Sequence, residues 1–220
     1  MANTTAVLRC SSNPHRLCLA SCAVTSSRRH NGATRLEICH MSLVLFWNLY
    51  VALCARAAGA EPLVITDIDQ NRLDFAKSVV PGIRTVLVKR DQKAEEIGDN
   101  IVKAAGLRPA IAIECTGVES SISAGIFSLK FGGIIHVIGV GADYQNLPFM
   151  HLSVNEIDVR LQYRYANTWP RAIRLVSSGL VDLSSLVTHR FSMEESVEAF
   201  KTASDAAAHA IKVMILDEPE

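Results

Sequence analysis

Asp67 ends an apolar run, "PLVIT", and Asp69 follows two positions later. An acid at the tip of a buried strand accepts hydrogen bonds from ribose hydroxyls in dinucleotide-binding units. The surrounding stretch, "LCARAAGAEPLVITDID" from Leu53 to Asp69, fits such a unit. It reads as the end of a helix, a tight turn, a buried strand and the acid. The unit should open on a glycine-rich turn about 20 residues before the acid, where backbone N–H groups at a helix start hold a pyrophosphate. Counting back lands on Leu43 to Asn48, and no glycine occurs between Gly32 and Gly59. Asp67 also suits a plainer role, as the turn acid of any α/β unit.

Other residues capable of chemistry are poorly placed for it. His136, His151, His189 and His209 have no acids at ligand spacing and read as structural. His15, Cys18, Cys22 and His30 are conceivable zinc ligands, but their spacing fits no finger pattern. The six cysteines include no CxxC, and free thiols in a reducing compartment account for them. Lys+Arg and Asp+Glu balance at 22 each, and aromatics make up 6%. That excludes the basic surface and the stacking platform that nucleic acid requires.

The elements that would position Asp67 follow from the hydrophobic pattern. Residues 1–40 stand apart: five arginines, five serines and a single acid, Glu37, with no hydrophobic period. A transit peptide, a disordered tail and residues foreign to the fold all fit that composition. From Ile38 to Ala55 there is no charge. His40, Ser42 and Asn48 interrupt the run, which favours a buried strand and helix over a membrane span. Thereafter strands and helices alternate. A helix at about 49–58 stops at Gly59, and "PLVITD" is a strand. Asp69 caps a helix through Leu73, Ala76 and Val80, "RTVLVK" is a strand, and Asp91 caps a helix through Ala105. "AIAIECTG", a helix over 119–130 and "GGIIHVIGVG" complete the series. Apolar strands spaced by amphipathic helices imply a parallel sheet covered on both faces. After Pro148 the rhythm changes. "EIDVRLQYRY" is a charged strand, Thr168 starts a helix that Gly179 ends, Ser192 and Glu195 form a capping box, and "IKVMIL" is a last apolar strand. These pieces read as a second layer or domain.

At "ECTG", "GGIIHVIGVG", "QYRYANTWPRAI" and "LVTHRF" the chain resembles the zinc-dependent medium-chain polyol dehydrogenases, the sorbitol and xylitol dehydrogenase group. The likeness is to their carboxy-terminal part and runs from about Leu49 to Leu216; "RYANTWP" carries the most specificity. It implies an α/β fold, a Rossmann-like doubly wound parallel sheet whose first strand and glycine loop have been replaced. The implied domains are a partial NAD-binding unit over 41–165 and, over 166–220, helices and a strand that pack on a catalytic domain. It also implies hydride transfer from a secondary alcohol of a polyol (L-arabinitol, xylitol or sorbitol) to NAD, with a zinc ion polarising the alcohol.

Carried over by position, Asp67 matches the acid on the adenosine ribose, whose charge favours NAD over a 2′-phosphate. Arg72 matches an arginine beside the same ribose. Ile138, Gly139 and Val140 match a stretch whose backbone passes the nicotinamide. Gln162, Tyr163 and Arg164 match the segment that closes over it, and Arg164 with Tyr165 faces the substrate. Without the resemblance, Arg72 and Arg164 read as solvated cations, and Gly139 and Gly141 as turn glycines.

No residue here matches the family's zinc ligands, which lie in an amino-terminal domain marked by "GHE", so no catalytic or metal-binding residue is assigned. Aligned on "LCARAAGA", the family's three glycines fall on Leu43, Leu45 and Asn48. The expectation is a polyol dehydrogenase whose first half was lost or replaced, with weakened NAD binding. The alternative is an inactive Rossmann-like binding or dimerisation module. Without the catalytic domain, Ile211, Val213, Met214 and Leu216 should lack a cover and favour association. A cytoplasmic location is expected, with mitochondrial targeting or membrane association through residues 1–55 as alternatives.

Overall fold

The computed structural model describes residues 37–42, 45–162, 168–208 and 210–217. Tyr163, Arg164, Tyr165, His209 and the four conceivable zinc ligands lie outside the described residues, as does most of the 1–40 segment. The chain divides into two compact units, with the break between Thr168 and Trp169.

The first unit is built on β1 (Glu37–Ser42), α1 (Leu45–Ala57), β2 (Glu61–Asp67), α2 (Gln70–Val79), β3 (Arg84–Leu87) and α3 (Ala94–Ala105). It continues through β4 (Ile111–Glu114), α4 (Glu119–Ser128), β5 (Ile134–Val137), α5 (Phe149–Val154) and β6 (Asp158–Leu161). Its six strands lie in the order β3-β2-β1-β4-β5-β6, every neighbouring pair parallel. That order reverses between β1 and β4, the arrangement of the doubly wound dinucleotide fold. Leu63, Val64 and Ile65 point alternately to the two faces of the sheet, and all three are buried, so both faces are covered.

The charge-free run from Ile38 onward becomes a strand and a helix. β1 pairs with β2 at Cys39–Leu63 and with β4 at Cys39–Ile111, so it occupies the centre of the sheet. It begins at Glu37, inside the segment set apart by composition. At 13 residues α1 spans about 20 Å, against a hydrocarbon thickness near 30 Å. Among the described residues no helix is long and apolar enough to cross a membrane.

The helix ends largely follow their expected chemistry. Gly59, at φ +84, closes α1 while the Gly59 and Ala60 N–H groups donate to Arg56 O and Ala55 O. The Asp69 carboxylate accepts from the Asn71 N–H at the start of α2. Asp91 does not cap α3. That helix starts after Lys93, which makes no side-chain cap, and Glu95 and Glu96 supply the negative charge of its first turn. Its last carbonyls, Ala104 O and Ala105 O, accept from Arg84 Nη1 at 2.8 and 2.6 Å. α3 packs closely on α4 at Gly98, where a Cβ would stand 2.9 Å from Phe127 Cβ.

Two departures come from long-range pairing. α5 is not legible in the hydrophobic pattern, and β6 joins the main sheet instead of a second layer, in register from Ile134–Asp158 to Val137–Leu161. α5 is the crossover that makes this parallel step possible.

The second unit contains α6 (Trp169–Ser177), β7 (His189–Ser192), α7 (Ser196–Ser204) and β8 (Val213–Leu216). β7 and β8 pair in parallel across the α7 crossover. Val213 and Ile215 pack with Ala199, flanked by Phe191, Ala203 and Ala210. The expectation of an uncovered last strand is therefore corrected: Ile211, Val213 and Met214 are buried and Leu216 is half-buried. The capping box is only half formed. Glu195 Oε2 accepts from the Ser192 N–H at 3.0 Å, but Ser192 still belongs to β7 and the helix begins at Ser196.

Candidate dinucleotide cleft

Parallel strands bring their carboxyl ends to one edge of the sheet. Ligands of open α/β sheets bind in the crevice outside those ends, where the strand order reverses. In this chain Asp67 stands at the end of β2 on one side of the reversal. Ile138, Gly139 and Val140 follow β5, and Gln162 follows β6, on the other. The two sides are three strand spacings apart from β2 to β5, about 14 Å. The fold thus gathers the described candidate residues along one edge, although they are dispersed over the chain.

The Asp67 residue is 5% exposed. Its Oδ1 accepts from the Asp69 N–H at 2.9 Å and lies 3.7 Å from Arg72 Nη1. Its Oδ2 is buried and has no hydrogen-bond partner among the described residues. The Asp69 N–H and the Arg72 guanidinium therefore engage one oxygen of the carboxylate, and the other has no hydrogen-bond partner among the described residues. Burial pushes the Asp67 carboxyl above the ordinary aspartate range, opposed by the Asp69 N–H and the Arg72 guanidinium. Arg72 also bridges to Asp69, with Nε 3.4 Å from Oδ2. It is an anchored cation on the rim of the acid, not a freely solvated one.

On the other side, the Ile138 and Gly139 N–H groups both donate to Glu114 O, at 2.7 and 3.2 Å. Gly139 and Gly141 are not turn glycines with left-handed backbone. They are required by close approach, since a Cβ on either would fall onto the backbone of Thr116 or Gly117. Gln162 hydrogen-bonds the buried His136 through Oε1 and Nε2 at 3.2 Å, and its N–H donates to Val137 O. Burial, reinforced by the charge of Arg160, holds His136 below the ordinary histidine range against the opposing bond to Gln162. His151 packs edge-on to Phe127.

Glu114 and Gln145 are not singled out by sequence reasoning, although "ECTG" draws attention to the first. Glu114 is 1% exposed and receives hydrogen bonds from the Thr116 and Gly117 N–H groups and from the hydroxyls of Thr116 and Ser121. Gln145 Nε2 donates to Gly117 O at 2.9 Å. Among the described residues no three histidine, cysteine or acidic side chains converge as a metal site would require.

Comparison with known proteins agrees with this arrangement. Residues 49–178 match the family model described as zinc-binding dehydrogenase. The chain is 55% identical over 182 residues to L-arabinitol 4-dehydrogenase of Penicillium rubens, covering 79% of this chain and 47% of that protein. It is 40% identical over 172 residues to mouse sorbitol dehydrogenase, covering 78% and 47%. It spans about half the length of the curated relatives it matches. Among solved structures, 2R,3R-butanediol dehydrogenase from Bacillus subtilis superposes with a TM-score of 0.77 at 20% identity, over 94% of this chain and 56% of that one, a likeness of fold. With the doubly wound sheet, its cleft and these matches together, the chain belongs to the zinc-binding dehydrogenase family, among relatives named for polyol oxidation.

Proposed function

We propose that this chain provides the cofactor-binding part of an NAD-dependent polyol dehydrogenase, which moves a hydride from a secondary alcohol carbon to NAD. One observation supports the proposal: the buried Asp67 carboxylate keeps an oxygen with no partner among the described residues, at the sheet edge where a ribose hydroxyl would be received. Asp67 would hold the adenosine ribose with Arg72 beside it, and its charge disfavours a 2′-phosphate. The backbone of Ile138, Gly139 and Val140 and the side chain of Gln162 would border the nicotinamide. Tyr163, Arg164 and Tyr165 are carried as proposals on sequence alone, the first two over the nicotinamide and the last two toward the substrate. Bound NAD supplies the hydride acceptor; the role of these residues is to orient it and to exclude water.

A zinc ion does not fit the described residues, and no step is assigned to one. The polyol reading rests on the named relatives, with L-arabinitol favoured by the identity of the match. Residues 43–48 carry side chains where the family's glycines would stand, which supports weakened phosphate binding.

A second reading, an inactive dimerisation module, draws on the outer edge of the sheet. Val159 and Leu161 are exposed along β6, and among the described residues no further strand pairs beyond it. The buried Cys54 thiol lies outside any disulfide, which supports a reducing compartment such as the cytoplasm.

Calorimetric titration with NAD and NADP, paired with zinc analysis and NADH formation from L-arabinitol, xylitol and sorbitol, tests the proposal. NAD binding that Asp67→Asn weakens by roughly 10- to 150-fold supports it. Absence of NAD binding at millimolar concentration, or equal affinity for NADP, sinks it.

A further inference from the structure

Two strand-end acids flank the reversal of strand order, and their hydrogen bonding differs. Asp67 ends β2 with one carboxylate oxygen unpartnered among the described residues, whereas both oxygens of Glu114 at the end of β4 are occupied. Among the described residues, donors to the Glu114 carboxylate come from the turn that follows it, at Thr116 and Gly117, and from Ser121 in the first turn of α4. The Thr116 hydroxyl that donates to the carboxylate accepts from the Val118 N–H at 2.9 Å, tying in the start of α4. A carboxylate is the only side-chain group that accepts at every position, and here four donors converge on it.

That turn is the surface against which the β5 glycine loop rests. Glu114 O takes the Ile138 and Gly139 N–H groups, Gly117 leaves no room for a Cβ on Gly139 or Gly141, and Gln145 Nε2 clasps Gly117 O from beyond the loop. The Asn146 N–H adds a bond to Glu119 Oε2 at 2.7 Å. The course of residues 138–146 is thus copied from the course of residues 114–119, and Glu114 sets the latter.

We infer that Glu114 is a positioning residue for the nicotinamide side of the cleft, acting through Gly117 on the backbone of Ile138, Gly139 and Val140. The inference rests on the dinucleotide reading for its consequence, but its mechanical part stands on the hydrogen bonds alone. Glu114→Gln keeps the shape of the side chain and turns an amide N–H₂ toward donors, so it releases the turn without opening a cavity.

Hydrogen exchange on the full chain, followed peptide by peptide, is the first arm of the test. Glu114→Gln should raise exchange across residues 137–146 about tenfold to a hundredfold while residues 63–80 are unchanged. Titration with NAD and with ADP-ribose, which has the adenosine and both phosphates but no nicotinamide, is the second. Affinity for NAD should fall about tenfold and affinity for ADP-ribose should hold. Asp67→Asn should give the converse, weakening both ligands alike with exchange over 137–146 unaltered.

Unchanged exchange over 137–146 in Glu114→Gln, or a rise spread over the whole sheet, overturns the inference, as does an equal loss of both ligands. If the wild-type chain binds neither ligand, the Asp67 reading fails separately and the exchange pattern still decides whether Glu114 holds the loop. Should Glu114→Gln not fold, Ser121→Ala removes one donor and should show the same local pattern at smaller amplitude.

Discussion

Arg72 approaches the Asp67 oxygen that the Asp69 N–H already occupies, 3.7 Å from Oδ1, and leaves Oδ2 to the cleft. Asp67→Asn should therefore have opposite effects on the free and liganded protein. Because burial raises the native carboxyl, ionisation costs stability once the pH exceeds the unfolded value near 3.9. The variant should melt higher than wild type at pH 7 and show no such gain at pH 3. Its affinity for NAD should fall by about 1.5–3 kcal/mol, roughly 10- to 150-fold, the value of a charged hydrogen bond. Calorimetry and thermal melts at both pH values check the pair of effects.

His136 makes the opposite contribution to pH dependence. Its native affinity for a proton is lowered, chiefly by burial, so below about pH 6.5 the unfolded chain takes up the proton first. Stability should be full at neutral pH and decline on acidification, by at most about 1.4 kcal/mol per pH unit. His136→Phe should flatten this slope. Urea denaturation at pH 7.5, 6 and 5 is the relevant comparison, and an unaltered slope in the variant would assign the decline to another group.

Gly139 and Gly59 should respond differently to a single methyl group. Gly59 has positive φ but nothing within 4 Å of where a Cβ would stand, so Gly59→Ala should cost only backbone strain, about 1–2 kcal/mol. At Gly139 the Cβ would fall on the Gly117 and Thr116 backbone, and Gly139→Ala should cost about 3 kcal/mol or prevent folding. Urea midpoints of the two variants decide whether close approach outweighs backbone conformation in this chain.

The β6 edge should govern self-association. Leu161 is 77% exposed on the outermost strand of the sheet, and a lysine there places charge where a second copy would add its strand. Leu161→Lys should shift the chain toward monomer in size-exclusion chromatography with the fold intact by circular dichroism. Identical elution of the two proteins would place any association elsewhere.

Much of the fold is readable in local pattern. The apolar runs at Leu63–Ile65 and Ile111–Ile113, the left-handed Gly59 and the Asp69 cap each depend on residues close in sequence, and each is found. Where local signals compete, sequence is a weaker guide. Asp91 stands three residues before Ala94, and the helix starts after Lys93, which offers no capping side chain. Ser192 has a capping partner in Glu195 but is drawn into pairing with β8.

Reading the chain alone is enough to place an acid at the tip of β2, to alternate strands with helices and to point to "ECTG", because side-chain periodicity and turn chemistry act over a few residues. It cannot tell that "EICHMS" lies at the centre of the sheet, that β6 extends it, or that Asp67 and Glu114 differ in how their carboxylates are hydrogen-bonded. Those outcomes depend on which distant backbone and hydroxyl groups arrive beside a given strand or carboxylate. The Glu114 carboxylate meets donors within seven residues of itself in the chain, whereas Asp67 Oδ2 meets none among the described residues, and that difference underlies the roles proposed for them.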